Sequence, residues 1–235
     1  MQDETLAIGI VEAVVAVCAP RGVPVTLKMR TGWSQENKNA VALARAAESA
    51  GVQMITVHGR TREQGYKGLA EYDTIAAVKA AVGVPVVANG DIDSPEKALQ
   101  VLFETKADAV MIGRAAQGRP WIFREMVHFM ATGQHLAPPL VAEVKHLLLD
   151  HLQDHYALYG EYSGVRSARK HIGWYVKALA GGEAFRARMN LIEDCGMQVR
   201  AVADFFDELN ARTDRMPSVV RNVLDSESIK METSA

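Results

Sequence analysis

Short apolar runs alternate with stretches of helical spacing along the first half of the chain. The runs Val25–Met29, Gln53–Val57, Val84–Ala88 and Ala109–Ile112 are of strand length and rich in β-branched residues or Met. Between and before them the spacing predicts helices. Asp3 can cap the first, whose apolar positions Leu6, Ile10, Val14 and Val17 recur at helical intervals up to Pro20-Arg21-Gly22. An Ala- and Leu-rich helix runs to about Ala50, with Gly51 as its stop, and another spans Tyr72–Ala81. Ser94-Pro95-Glu96 opens a fourth, since Ser caps well and Pro at the first helical position has its φ already set. A fifth follows Gly113-Arg114 and runs to about Ala131.

Strictly alternating strands and helices predict parallel βα units. Four strands are half of what a (β/α)8 barrel needs, and the chain opens on a helix with no strand before it. The expected fold is therefore α/β, the C-terminal half of a (β/α)8 TIM barrel over residues 1–132, beginning at an internal methionine. Gly133 to Pro139 then reads as a linker. Beyond it no strand pattern returns: Leu140–Tyr159, Val165–Leu179 and Glu183–Arg212 show helical spacing, the last with a break at Gly196. A small all-helical domain is expected over 140–212, and a loosely ordered polar tail over 213–235.

Composition changes this picture little. Hydrophobic residues are 49% and charged residues 23% of the 235, ordinary for a globular protein, and the formal net charge of −2 excludes a globally basic nucleic-acid binder. No apolar stretch is long enough to span a membrane. The two cysteines, Cys18 and Cys195, lie far apart in no metal or redox spacing, which suits a reducing, cytoplasmic setting and gives no support for a metal site.

The candidate chemistry lies where each strand ends, the usual place for functional groups in such folds. Lys28 and Arg30 are two apart on a strand and so point to one side. His58 ends the next strand, Asn89-Gly90-Asp91 the third and Gly113-Arg114 the fourth, and Lys28, His58, Asn89 and Gly113 are expected at one level. Such a ring, with glycines that permit close backbone approach, suits an anionic ligand. In the helical part, Gly164–Asn190 holds six Lys or Arg against one acid, Glu183. Arg166, Arg169, Lys170 and Lys177 fall largely on one helical face near Trp174 and Tyr175, which fits either a solvated surface or a phosphate backbone.

With these residues in hand the chain resembles the tRNA-dihydrouridine synthases, most closely their bacterial B-type branch. The resemblance rests on VTLKMRTGW (25–33), ITVHGRT (55–61), VPVVANGDI (84–92), MIGRAAQGRPWIF (111–123) and RSARKHIGWY (166–175), and extends to about Arg212. It implies an FMN-dependent oxidoreductase in which NADPH reduces the flavin and the flavin reduces a uracil of tRNA. It also implies that Lys28 meets the flavin ring, that Asn89, Gly90 and Asp91 form a flavin-binding turn, and that His58 lines the cavity. Gly113 and Arg114 would bind the phosphate at a helix N-terminus, and Arg166, Arg169, Lys170 and Lys177 would contact tRNA.

One departure stands beside these agreements. The family's proton-donating cysteine lies in an Asn-x-Gly-Cys-Pro loop, a motif that does not occur in this sequence. Cys18 is expected on a helix facing the core and Cys195 in the helical domain, so no catalytic residue is assigned. A chain N-terminally truncated in this way is expected to be inactive alone. The alternative is a non-catalytic flavin- or tRNA-binding half-barrel that self-associates through its open sheet edges.

Overall fold

The computed structural model describes residues 2–218; the remainder of the polar tail lies outside the described residues. The chain divides into two compact units, residues 1–135 and 136–235.

The first unit contains four parallel strands, β1 (Thr26–Arg30), β2 (Met54–His58), β3 (Val86–Asn89) and β4 (Ala109–Met111), in the order β1-β2-β3-β4. Sequential order with helical crossovers is what consecutive βα units of a barrel produce, here with half of the eight strands of closure. The helices are α1 (Glu4–Cys18), α2 (Ala40–Ser49), α3 (Asp73–Ala81), α4 (Pro95–Thr105) and α5 (Ile122–Thr132). Alternation along the strands sorts the side chains by face. Met29, Ile55, Val57, Val86 and Ala88 join the buried core with Leu43, Ile75, Val101 and Ile122 of the helices. Lys28, Arg30, Thr56, His58 and Asn89 alternate with them and so take the opposite face.

Capping agrees with the sequence at two starts: Asp3 accepts from the Leu6 N–H at 2.8 Å, and Ser94 from the Lys97 N–H at 3.2 Å with Pro95 as the first helical residue. On α1 the expected spacing is present but its face is not the packed one. Leu6, Ile10, Val14 and Val17 are all exposed, and Ala7, Ile8 and Val11 meet the core instead. The cause is a helix apolar on most of its circumference, where several stripes satisfy the same period. Cys18 is half-buried, on a helix with no fully buried residue.

Among its described residues the second unit is built of helices, with one isolated bridge between its two ends. In α6 (Val141–Val176) the residue Gly160, at φ 72° and ψ 168°, breaks the helix. His151 and His171, twenty positions apart, have ring centroids only 5.0 Å apart, so the two arms fold back on each other. Val144, Leu148 and Leu152 of one arm and Val165, Ala168 and Ile172 of the other are fully buried. Helices α7 (Gly182–Met189) and α8 (Cys195–Asn210) follow among the described residues. The break between them falls before Asp194, which caps α8 by accepting from the Met197 N–H at 2.6 Å, not at Gly196. A strong N-cap thus outweighs the glycine as a boundary signal. Buried Gln198 is satisfied by the Tyr156 hydroxyl at 2.6 Å and the Val165 carbonyl at 3.3 Å. The stretch from Thr213, expected to be loose, begins by pairing with the segment that enters α6. Leu140 and Arg215 form an antiparallel bridge, the Met216 N–H donates to Pro139, and Met216 is buried.

Candidate functional site

The parallel register fixes which strand-end residues stand side by side. Arg30 pairs with His58, His58 with Asn89, and Asn89 with Met111. Lys28 pairs with Thr56, one pleat lower, and Gly113 lies beyond β4. The ring expected at one level is therefore staggered, with Arg30 rather than Lys28 beside His58. Spacing within each strand was readable, but the offset between strands is set by the pairing of the sheet.

Asp91 is the hub of the site. Its Oδ2 accepts from Arg60 Nη2 at 2.5 Å and from the Ala70 N–H at 2.9 Å, and its Oδ1 from Arg114 Nη2 at 3.2 Å. Burial works to raise its pKa, but the Ala70 N–H and the two guanidinium groups outweigh that and hold it below the usual carboxylate range. Gly90 beside it adopts φ +130°, and a Cβ there would come within 2.7 Å of the Ala70 Cβ, so the turn demands glycine. The Tyr72 hydroxyl donates to the Gly90 carbonyl at 2.8 Å, and the Asn89 side-chain amide donates to the Met111 carbonyl at 2.8 Å. Asn89, Gly90 and Asp91 are thus held from three sides.

Four cations stand around this hub and the neighbouring His58. Arg60 is buried, with its side chain 3% exposed, and also donates to the Gly68 carbonyl at 2.7 Å. Arg30 donates to the Thr61 and Gly65 carbonyls at 2.8 and 2.9 Å. Arg114 is more than half exposed and stacks on Tyr66, its Cζ 4.5 Å from the ring centroid. Lys28 is solvent-exposed at the surface of β1, yet partial desolvation, then Arg30, lowers its pKa. These groups hold His58 neutral: burial first, then Arg30, Lys28 and Arg60, push its pKa down to about 4. A cleft of about 460 Å³ lined by Lys28, Met29, Arg30, Gly32, Trp33 and Arg62 borders this face at β1. A neutral imidazole, fixed guanidinium groups and a surplus of positive charge are equipped to bind and orient an anion.

The expected helix N-terminus at Gly113-Arg114 is absent. Arg114–Ala116 is one 3-10 turn, and α5 starts only at Ile122. The gap follows from Gly118 and Pro120, which keep an α-helix from starting at the glycine turn. What remains there is the open backbone of Gly113, with no atom within 4 Å of a Cβ built on it, and the Arg114 side chain. Arg60 and Tyr66 were missed. For Arg60 the signal was available: it follows His58 by two, as Arg30 follows Lys28.

In the helical unit the four basic candidates separate. Arg169 donates to the Ile192 carbonyl at 2.8 Å and is partly buried, so it ties the α7–α8 connection to α6. Arg166 stacks on Tyr162 at 3.8 Å and pairs with Glu193 at 2.9 Å. Lys170, 5.1 Å over the Trp174 ring, and Lys177 are solvent-exposed. Between the arms, His155 Nε2 lies 2.7 Å from Ser167 Oγ, and burial then His151 lower its pKa. Among the described residues no group of His, Cys, Asp or Glu is placed to hold a metal ion. No helix there is long and apolar enough to cross a membrane.

The sequence profile described as Dihydrouridine synthase (Dus) matches residues 1–210. The chain belongs to the dihydrouridine synthase family. Proteins named tRNA-dihydrouridine synthase B are among its relatives. That of Pseudomonas aeruginosa is 53% identical over 208 residues, covering 88% of this chain and 62% of the relative. That of Xanthomonas axonopodis pv. citri is 55% identical over 211 residues, 90% of this chain and 63% of the relative. That of Shewanella oneidensis is 55% identical over 209 residues, 89% of this chain and 64% of the relative. The family member described here thus spans a little over three fifths of the length of these relatives. Among solved structures, a nitroalkane oxidase from Streptomyces ansochromogenes matches at 18% identity and TM-score 0.34 over 86% of this chain and 62% of its own, too slight a likeness to argue from.

Proposed function

We propose that the protein acts as a tRNA-dihydrouridine synthase, a cytoplasmic oxidoreductase that uses FMN and NADPH to saturate the C5=C6 bond of uridine in tRNA. The observation that carries this reading is the Asp91 hub in a family member: four cations and one carboxylate at the ends of parallel strands, on the face opposite the packed helices. Such a surplus fits a phosphate-bearing cofactor. The Arg60 Nε is buried without a hydrogen-bond partner.

In this reading Arg114 and the Gly113 backbone hold the FMN phosphate, and the Asn89-Gly90-Asp91 turn sets the wall against which the cofactor lies. Lys28 faces the flavin ring, where a cation stabilises negative charge. His58 stays neutral and serves as a hydrogen-bonding group of fixed orientation. Bound FMN would supply the hydride for the uracil after taking it from NADPH. The basic face of α6, chiefly Lys170 and Lys177 beside Trp174, contributes non-sequence-specific phosphate contacts to tRNA. The proton donor of the reaction is assigned to no residue of this chain.

The test is an anaerobic titration of the protein isolated from its native cells. NADPH should bleach the bound flavin, and unmodified tRNA should restore its colour while dihydrouridine accumulates in the RNA. Bleaching that free oxygen reverses but tRNA does not would refute the proposed substrate.

A further inference from the structure

We propose that Arg60 is a positioning residue, which fixes the tautomer of His58 and, through Asp91, the aim of Arg114. The role it would play toward a cofactor rests on the flavin reading above. The residue is 2% exposed, sits two positions after His58 and touches three elements of the site. Its Nη1 lies 3.5 Å from His58 Nε2. A guanidinium carries donors only, so this contact is favourable when Nε2 is unprotonated and the imidazole proton sits on Nδ1. A Cβ at Gly90 would meet His58 Cδ2 at 3.2 Å, which places the Cδ2–Nε2 edge of the ring against the Gly90 turn. The Nδ1–H edge is then the one presented to a ligand.

The other end of the guanidinium organises the rim. Arg60 Nη2 bonds both the Gly68 carbonyl and Asp91 Oδ2, and Asp91 Oδ1 in turn holds Arg114. Arg60–Asp91–Arg114 is a chain of cation, anion and cation, whose inner cation is buried and whose outer one is exposed. A buried guanidinium is locked in place by its partners, so it transfers that order to the exposed one. The charged groups that face His58 are Arg30, Lys28, Arg60 and Asp91, the last alone favouring its protonation. Arg60 therefore acts on His58 directly, whereas Asp91 acts on Arg114.

The experiment uses the full-length protein and reads the histidine apart from turnover. Nitrogen-15 NMR of the flavin-free protein should show His58 as the neutral Nδ1–H tautomer, titrating near 4. In Arg60→Gln its titration should move toward the ordinary histidine range and the tautomer signature should be lost. In Asp91→Asn, His58 should titrate no higher than in the wild type. That variant should instead lose about tenfold of its preference for FMN over riboflavin, which lacks the phosphate. A wild-type His58 protonated on Nε2 would overturn the proposal, as would an unchanged preference of Asp91→Asn for FMN over riboflavin. If Arg60→Gln does not fold, the wild-type tautomer and Asp91→Asn decide. If the wild type binds neither flavin, the flavin reading and the rim role of Arg60 fall together, and the tautomer result stands alone.

Discussion

The strand-end cluster and the basic face of α6 both gather positive charge, and they do so in opposite ways. At the strand ends the three guanidinium groups are tied to carbonyls or to a shared carboxylate, and the innermost is buried. On α6 the outward cations lean on aromatic rings, Arg166 on Tyr162 and Lys170 on Trp174, and Lys177 is exposed. Burial converts charge into position, because a desolvated cation tolerates only the geometry that satisfies it. Exposure leaves it as a mobile, salt-screened attraction. The first arrangement suits a small ligand that must sit in one pose. The second suits a long polyanion held at many weak points.

The sharpest way to break this contrast is Asp91→Ala, which leaves Arg60 buried without its carboxylate. It should cost about 3 kcal/mol of unfolding free energy, read from denaturant midpoints of the flavin-free protein. A loss no greater than that of a surface ion pair would mean the cluster behaves like the α6 face. Next in size, Lys170→Ala with Lys177→Ala should weaken tRNA binding about tenfold and reduce the salt slope by roughly 1 to 2, with stability nearly unchanged. Normal binding would remove the basic face from the interface.

Arg169→Ala tests the boundary between the two behaviours, since this residue lies among the basic candidates yet is spent on the Ile192 carbonyl. It should lower stability by about 1 kcal/mol and leave the salt slope of tRNA binding unaltered. A smaller slope with intact stability would return it to the RNA-facing group. The smallest effect is on pH dependence. His58 refuses a proton in the folded state down to about pH 4, whereas an unfolded histidine accepts one near 6.5. Its contribution to stability is therefore complete above about pH 6.5 and is lost as pH falls toward 4. His58→Asn should flatten unfolding free energy against pH in that window by up to about 1 kcal/mol per unit. An unchanged profile would show that His58 is not held neutral.

Much of the first unit was legible because each βα unit carries its own punctuation. Ser94-Pro95 announces α4, Gly51 ends α2, and apolar runs of four or five residues mark strands buried among helices. The candidate residues were legible in part, since functional groups of such a sheet gather after strand ends. What escaped was whatever depends on one strand's offset from the next. Lys28 was expected beside His58, and Arg30 stands there. The engagement of Asp91 with Arg60, Arg114 and the Ala70 N–H could not be read from spacing either. In the helical unit, charge on one helical face suggested four equivalent cations, and packing against the α7–α8 connection withdrew Arg169 from them.

The sequence by itself determined the order and kind of elements, the glycine at the strained turn beside Asp91, and the types of residue present at the strand ends. These are local matters of period, capping and backbone freedom, settled within a few residues. Tertiary structure alone decided which stripe of α1 is packed, which cations are buried, and that one carboxylate joins Arg60 to Arg114. Those outcomes turn on register and desolvation, which arise only when segments distant in the chain are brought into contact.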